Sequence, residues 1–313
     1  MNKPKVLILH SGEKPDYLSD MIFISLITDE GVELETNIYP EFIFEDFRTN
    51  NSYGRTFTLY RKLSKSLKKI NLKEKVIKKR VKNRYYDKVI YSSIRRYSKY
   101  FDYVYKYLGG KKIICIDGED DLNIKESCIQ KSIYFKREYS LILKNYIRPI
   151  SFFIPQSIIE QLRSKYIFNT KKIFYESYCD PRNKETYIYK EEESYFKQYS
   201  ESLFGFTKMK GGWDCLRHYE IIIAKCLPYF ENFKNKPKYT MHNYPNKLQT
   251  KVNQFYHENY NKEISDINFK KYFEFVNEFN KYLDYSSVNL GSINFKELIF
   301  SKRIKSSEKF SLN

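Results

Sequence analysis

Between Lys208 and Tyr229 the chain reads KMKGGWDCLRHYEIIIAKCLPY, and this stretch gathers side chains suited to holding an anionic ligand. Gly211 and Gly212 are adjacent, so the backbone there can approach a ligand closely. Trp213, the only tryptophan, follows at once. Arg217 and Glu220 are three apart and share a face if the segment is helical. A helix that begins after the glycines offers free N–H groups to a phosphate, and Arg217 adds a bidentate donor. Glu220 can accept hydrogen bonds from ribose hydroxyls. The plainer reading is a turn followed by a surface ion pair, which is worth only a few tenths of a kcal/mol.

Other candidates stand at the ends of expected strands, where an open α/β sheet places its ligands. Lys5–His10 reads as a buried strand and leads into HSGEKPDYLSD, which makes His10 and Asp16 candidates for a general base. A strand-end histidine satisfied by backbone is the alternative for His10. Lys111–Ile116 runs into Asp117-Gly118-Glu119-Asp120-Asp121. Asp117 or Glu119 could take a proton from an acceptor hydroxyl, or hold Mg²⁺ or Mn²⁺ through oxygen ligands, or belong to a solvated turn. Ser132–Lys136 ends in Lys136, Arg137 and Glu138, which suits a phosphate or a cleft ion pair. Arg55 beside Gly54 suits an anion on the acceptor side.

The elements that must position these groups alternate. Strands are expected at Lys5–His10, Val32–Ile38, Asp87–Ser92, Lys111–Ile116, Ser132–Lys136, Lys171–Ser177 and Leu227–Phe230. Helices are expected at Met21–Ile27, Thr58–Leu67, Arg95–Leu108, Glu191–Phe204, Asn246–Tyr260 and Asn268–Tyr285, with further helical spacing across 62–84. Strand, helix, strand at this spacing argues parallel βαβ units. Prolines at 149 and 155 block a helix in PISFFIP, and a domain boundary is expected nearby.

The run WDCLRHYEIIIAKCLPYF resembles the donor-site helix of GT-B glycosyltransferases, in particular a bacterial surface-polysaccharide family with the pattern Gly-Trp-Asp-Cys-x-Arg-His-Tyr-Glu; the exostosin-like transferases carry a looser version. YGRTFTLY at 53–60, CIDGEDD at 115–121, YFKRE at 134–138 and PISFFIP at 149–155 fit the same family in the same order. Lys225 departs from it, standing where the family usually has Gly. The resemblance implies an α/β protein of GT-B type: two Rossmann-like domains facing across a cleft, residues 1–150 on the acceptor side and 151–313 binding a nucleotide sugar. It implies glycosyl transfer to a hydroxyl of a glycan or lipid-linked acceptor in surface-glycan synthesis. No metal is expected, with a divalent ion at Asp117 and Glu119 the secondary reading. Lys210, Gly211, Gly212, Trp213, Arg217, Tyr219, Glu220, Lys136 and Arg137 would hold the donor.

Composition sets outer bounds. The 313 residues are enough for two ordinary domains. No run of 18 apolar residues occurs, and the apolar patch near the N-terminus is only VLIL, so a cytoplasmic protein is expected. The five cysteines are odd in number and lack CxxC spacing, which argues against disulfide or zinc frameworks. The net charge of +18 points to an anionic partner, and contact with the inner face of an anionic membrane is one expectation. An AT-rich genome produces the same Lys, Asn, Ile, Tyr and Phe bias. Nucleic-acid binding through the basic, tyrosine-rich surface is a second function class. Against it, the aromatics fall at helix and strand periods and no recognition module is present. A third class keeps a transferase fold without activity, as a scaffold.

Overall fold

A computed structural model describes residues 3–12, 14–48, 57–139, 146–166, 169, 172–175, 183–186, 188–189 and 191–287. The chain is α/β. The first half runs β1 (Lys5–Leu9), α1 (Tyr17–Ile27), β2 (Glu33–Thr36), α2 (Glu74–Lys82), β3 (Lys88–Tyr91), α3 (Phe101–Leu108), β4 (Ile113–Asp117), α4 (Glu126–Ile129), β5 (Ile133–Lys136) and β6 (Ile147–Pro149). Its strands form one six-stranded parallel sheet in the order β2-β1-β3-β4-β5-β6. Strand order reverses at β1, so the switch point lies between β1 and β3. In such sheets ligands bind outside the carboxyl ends of the strands at that point.

The second half runs α5 (Gln156–Lys165), β7 (Lys172–Tyr175), α6 (Glu192–Ser200), β8 (Ser202–Thr207), α7 (Leu216–Ile223), β9 (Leu227–Phe230), α8 (Asn246–Asn259) and α9 (Phe269–Ser286). Its three strands are parallel and lie in chain order, β7-β8-β9. Among the described residues no helix is long and apolar enough to cross a membrane.

Both faces of the large sheet are covered, which is why its strands read as continuous apolar runs rather than alternating ones. Leu7, Leu9, Val89, Tyr91, Ile113 and Cys115 point to one face, under α2 and α3. Their neighbours Val6, Ile8, Ile90, Ile114 and Ile116 point to the other. That second face shares a single apolar core with α1, with Phe152 to Ile154, and with the second sheet and its helices. The two sheets are therefore joined through buried apolar surface, at about 25 cal/mol per Å².

Three segments differ from the expected elements. Residues 58–67 form turns and a single 3₁₀ turn at Lys65–Leu67 rather than a helix. Leu63 bridges Phe44 in parallel, and the amides of Arg61, Lys62 and Leu63 donate to Phe42 and Ile43, so buried Leu63 serves a bridge instead of a helix face. The helix expected from Arg95 begins only at Phe101, after Tyr100 in the left-handed region at φ 66°. The helix expected to reach Phe204 ends at Ser200, and β8, the middle strand of the second sheet, follows after one residue.

Candidate functional site

The glycine-tryptophan turn joins β8 to α7, and its geometry is fixed from within. The amide of Lys210 donates to Gly212 O at 3.1 Å. His218 Nε2 donates to Trp213 O at 2.8 Å, which leaves Nδ1 to accept from the Thr207 hydroxyl at 2.8 Å. One tautomer satisfies both contacts. Burial holds this imidazole neutral, its pKa lowered to about 3. His218 thus ties the end of β8 to the start of α7 and is unsuited to proton transfer near neutral pH.

Arg137, Glu138 and Phe152 close on this turn. Glu138 Oε1 accepts from the Asp214 amide at 3.1 Å and from Arg137 NH1 at 2.8 Å. Arg137 also donates to Asp214 O, to Gly118 O at 3.0 Å and to Asp120, and its guanidinium lies 4.6 Å over the Phe152 ring. Asp214 Oδ2 accepts from the Phe152 amide at 2.7 Å, and its Oδ1 from Tyr219 Oη at 2.9 Å. Burial pushes the Asp214 carboxyl up to about 6 against the opposing pull of Arg137. Burial likewise raises the Glu138 carboxyl, with Arg137 opposing.

The turn is filled by the protein's own groups. Gly212 is buried, and a Cβ there would stand 2.8 Å from Glu138 Cδ and 3.1 Å from Arg137 NH1. The glycine is needed, but for approach to Glu138. Gly211 is exposed and faces Asp120. The Asp214 amide expected to meet a diphosphate already carries a carboxylate, and Arg137, expected to hold the donor, neutralises that carboxylate.

Glu220 lies further along α7 and is buried. Its Oε1 accepts from the Thr58 hydroxyl and its Oε2 from Tyr195 Oη at 2.6 Å. Thr58 belongs to the FTLY end of the 53–60 motif, so two motifs 162 residues apart meet at this carboxylate. Arg217 is buried on the same helix, and its charge is felt at Tyr195 and Tyr199. Arg55 lies outside the described residues.

The remaining candidates gather at the carboxyl ends of β1, β3 and β4. Asp16 caps α1, accepting from the Ser19 amide at 3.2 Å, and accepts from the Ser93 hydroxyl at 2.6 Å. Arg96 Nε lies 3.8 Å from Asp16 and 2.5 Å from Glu119. Buried Asp20, one turn into α1, accepts from the Asp16 amide, and burial followed by the Asp16 charge raises its pKa well above the carboxylate range. Asp117 accepts from Lys136 Nζ at 2.9 Å and Tyr134 Oη at 2.8 Å, in a fully buried pair. Burial raises the Asp117 carboxyl, and Lys136 opposes it. His10 Nε2 donates to Ile38 O at 2.7 Å, and burial lowers its pKa to about 4. That is the backbone-satisfied strand-end histidine.

The structure thus brings together Asp16, Glu119, Asp117, Lys136 and Arg137 along one edge. Lys210, Gly211, Gly212 and Trp213 lie in the turn after β8, and Arg217, Tyr219 and Glu220 are buried on α7. Asp117 and Glu119 each carry a protein cation, and no cluster of His, Cys, Asp and Glu able to hold a metal occurs among the described residues. Sequence reasoning missed Ser93, Arg96, Thr58, Tyr195 and the junction role of Asp214. Asp214 and Thr58 carried a signal, their places within the motifs at 208–229 and 53–60. No family model, curated protein or solved structure matches the chain.

Proposed function

We propose that the chain transfers a glycosyl group from a nucleotide-activated sugar to a hydroxyl acceptor, within a GT-B-like arrangement of the two sheets. The observation that carries this reading is the meeting of two carboxyl edges: Arg137, just past β5, donates to Asp214 in the turn after β8. Ligand sites of parallel α/β sheets lie at such edges, so two of them face to face can hold a donor and an acceptor together. In this reading the donor diphosphate takes the place of the Glu138 carboxylate. One anion replaces another beside the same guanidinium and the same Asp214 amide. Glu220 exchanges Thr58 for the ribose hydroxyls. Asp16, steered by Ser93 and Arg96, removes the acceptor proton. The acceptor oxygen bonds to the anomeric carbon as the bond from that carbon to the phosphate oxygen breaks, and the nucleoside diphosphate leaves with the electron pair. Arg137 and the amides offset the leaving charge, an effect of a few kcal/mol, each ~1.4 kcal/mol being a factor of ten in rate.

A second reading keeps the fold without turnover. It is favoured by the same contacts, because Glu138 and Glu220 already have protein partners. Thermal unfolding with a panel of nucleoside diphosphates and nucleotide sugars separates the two. A ligand at 100 times its Kd adds about 2.7 kcal/mol of stability. The transferase reading expects one nucleotide to stabilise the protein and Glu220→Gln to abolish that gain while the fold remains. If no member of the panel shifts the transition, the scaffold reading stands.

A further inference from the structure

Residues 61–84 hold twelve Lys and Arg against one acid, Glu74, so this segment supplies eleven of the eighteen net positive charges. The structure disposes them unevenly. Lys62, Lys68, Lys78 and Arg80 pair with Glu192, with Glu41 and Asp46, with Glu74 and with Glu35. Lys69, Lys73, Lys75, Lys79 and Lys82 are exposed and enter no ion pair among the described residues. The helix explains the outward set. α2 buries Ile77 and Val81, four apart, against the sheet, which turns Lys75, Lys79 and Lys82 to the opposite side.

Apolar side chains stand among these cations. Ile70 is 87% exposed on the approach to α2, and Val76 is exposed on the helix itself. Val76, Lys75, Lys79, Arg80, Asn83 and Tyr85 line a shallow open groove. The Leu72 amide donates to Thr36 O, the last residue of β2, so Ile70 stands at the same carboxyl edge as Asp16 and Ser93.

We propose that α2 and its approach dock on an anionic lipid bilayer, with Ile70 entering the interface and the lysines meeting the headgroups. Aliphatic side chains ringed by lysines match a surface with charge above and hydrocarbon beneath. A single-stranded nucleic acid would need open aromatic faces. Here the nearby rings carry cations of the protein: Lys5 and Arg80 lie 4.1 and 5.0 Å over Tyr85, and Lys78 and Lys99 lie 5.2 and 5.0 Å over Tyr100. Docking in this orientation brings the β1–β3 edge to the membrane, where a lipid-linked acceptor would be found. The docking itself does not depend on the transferase reading.

Flotation of the full chain with vesicles tests this, using phosphatidylcholine alone and phosphatidylcholine with about a quarter phosphatidylglycerol. The expected result is binding to the anionic vesicles only, reversed by salt. Lys75→Gln/Lys79→Gln/Lys82→Gln should weaken it about a hundredfold, from roughly a factor of five per lysine. The set is exposed, and a wild-type melting curve verifies that the variant folds; Lys75→Glu/Lys79→Glu does the same duty with two changes. Ile70→Ser should weaken binding to the anionic vesicles at low salt while leaving its salt dependence unchanged. Equal binding to both vesicle types, or full binding by the charge variants, overturns the proposal. So does an unlabelled random single-stranded oligonucleotide that binds more tightly than the vesicles at the same salt.

Discussion

The Glu138 carboxylate accepts the Asp214 amide at 3.1 Å, across the line where the two parallel sheets meet. Glu138 follows the end of β5, and Asp214 precedes α7. A carboxylate beside a helix start is favourable for the same reason a phosphate is: unpaired N–H groups and the positive end of the helix dipole. Arg137 supplies the countercharge that makes burying this carboxylate tolerable, since breaking such a buried pair costs about 3–5 kcal/mol. The contact therefore joins the halves of the molecule at the turn where the proposed diphosphate would compete with Glu138.

Glu138→Gln follows from that competition. The amide oxygen can still accept from the Asp214 amide and Arg137, so the shape of the junction is kept, while loss of the buried countercharge costs about 3–5 kcal/mol. The negative charge is gone. If a nucleoside diphosphate binds at this turn, its affinity should rise tenfold or more by titration calorimetry, since a unit charge at ~4 Å is worth several kcal/mol near a protein surface. Unchanged affinity in a protein that binds the nucleotide elsewhere would remove the turn from the site.

Much of this architecture was legible in the sequence because it rests on local runs. KVLIL and IICID are buried on both faces and announce themselves as parallel strands. β8 was hidden because Tyr195, Tyr199 and Leu203 keep a four-residue spacing through the end of α6, and a helical period masks the strand that follows. The motif residues Trp213, Asp214, Arg217 and Glu220 were visible as a group. Their partners were not. Thr58 reaches Glu220 over 162 residues and Glu138 reaches Asp214 over 76, and no periodicity encodes such pairs. A glycine pair reads the same whether it makes room for a phosphate or for Glu138.

Two buried histidines should each draw stability down in mild acid. His10 and His218 have folded values lowered to about 4 and about 3, against an ordinary value of 6.5. Between those limits the unfolded chain binds protons that the folded chain refuses. Their contribution is complete above about pH 6.5 and is lost as pH falls, at about 1.4 kcal/mol per unit for each. Asp214, raised to about 6 from 3.8, acts oppositely: stability from it declines as pH climbs through that window. The carboxyls of Asp20, Asp117 and Glu138, which burial also raises, act in the same sense as Asp214, so the histidine contribution is read from a variant rather than from wild type alone. Urea unfolding of wild type and His218→Gln across this range should show the difference between them shrinking by about 1.4 kcal/mol per unit. A constant difference would mean that His218 is protonated in the folded protein.

Lys225 ends α7 in a conformation that suits glycine. Its φ is 59°, its amide donates to Ile222 O at 2.9 Å, and the next amide, that of Cys226, donates to Ile221 O at 3.2 Å. This pair of bonds is a Schellman closure, whose left-handed residue is usually Gly because a Cβ there crowds the carbonyl that follows it. The strain is held in place by packing: Tyr272 Oη donates to Lys225 O at 2.6 Å, and Cys226 begins the buried run into β9. Replacing the side chain relieves the crowding, while the extra freedom glycine brings to the unfolded chain takes back part of the gain. Lys225→Gly should therefore stabilise the protein by about 0.5–1 kcal/mol, read as a raised midpoint in urea with unchanged slope. A lowered midpoint would show that the lysine side chain contributes more than its backbone costs.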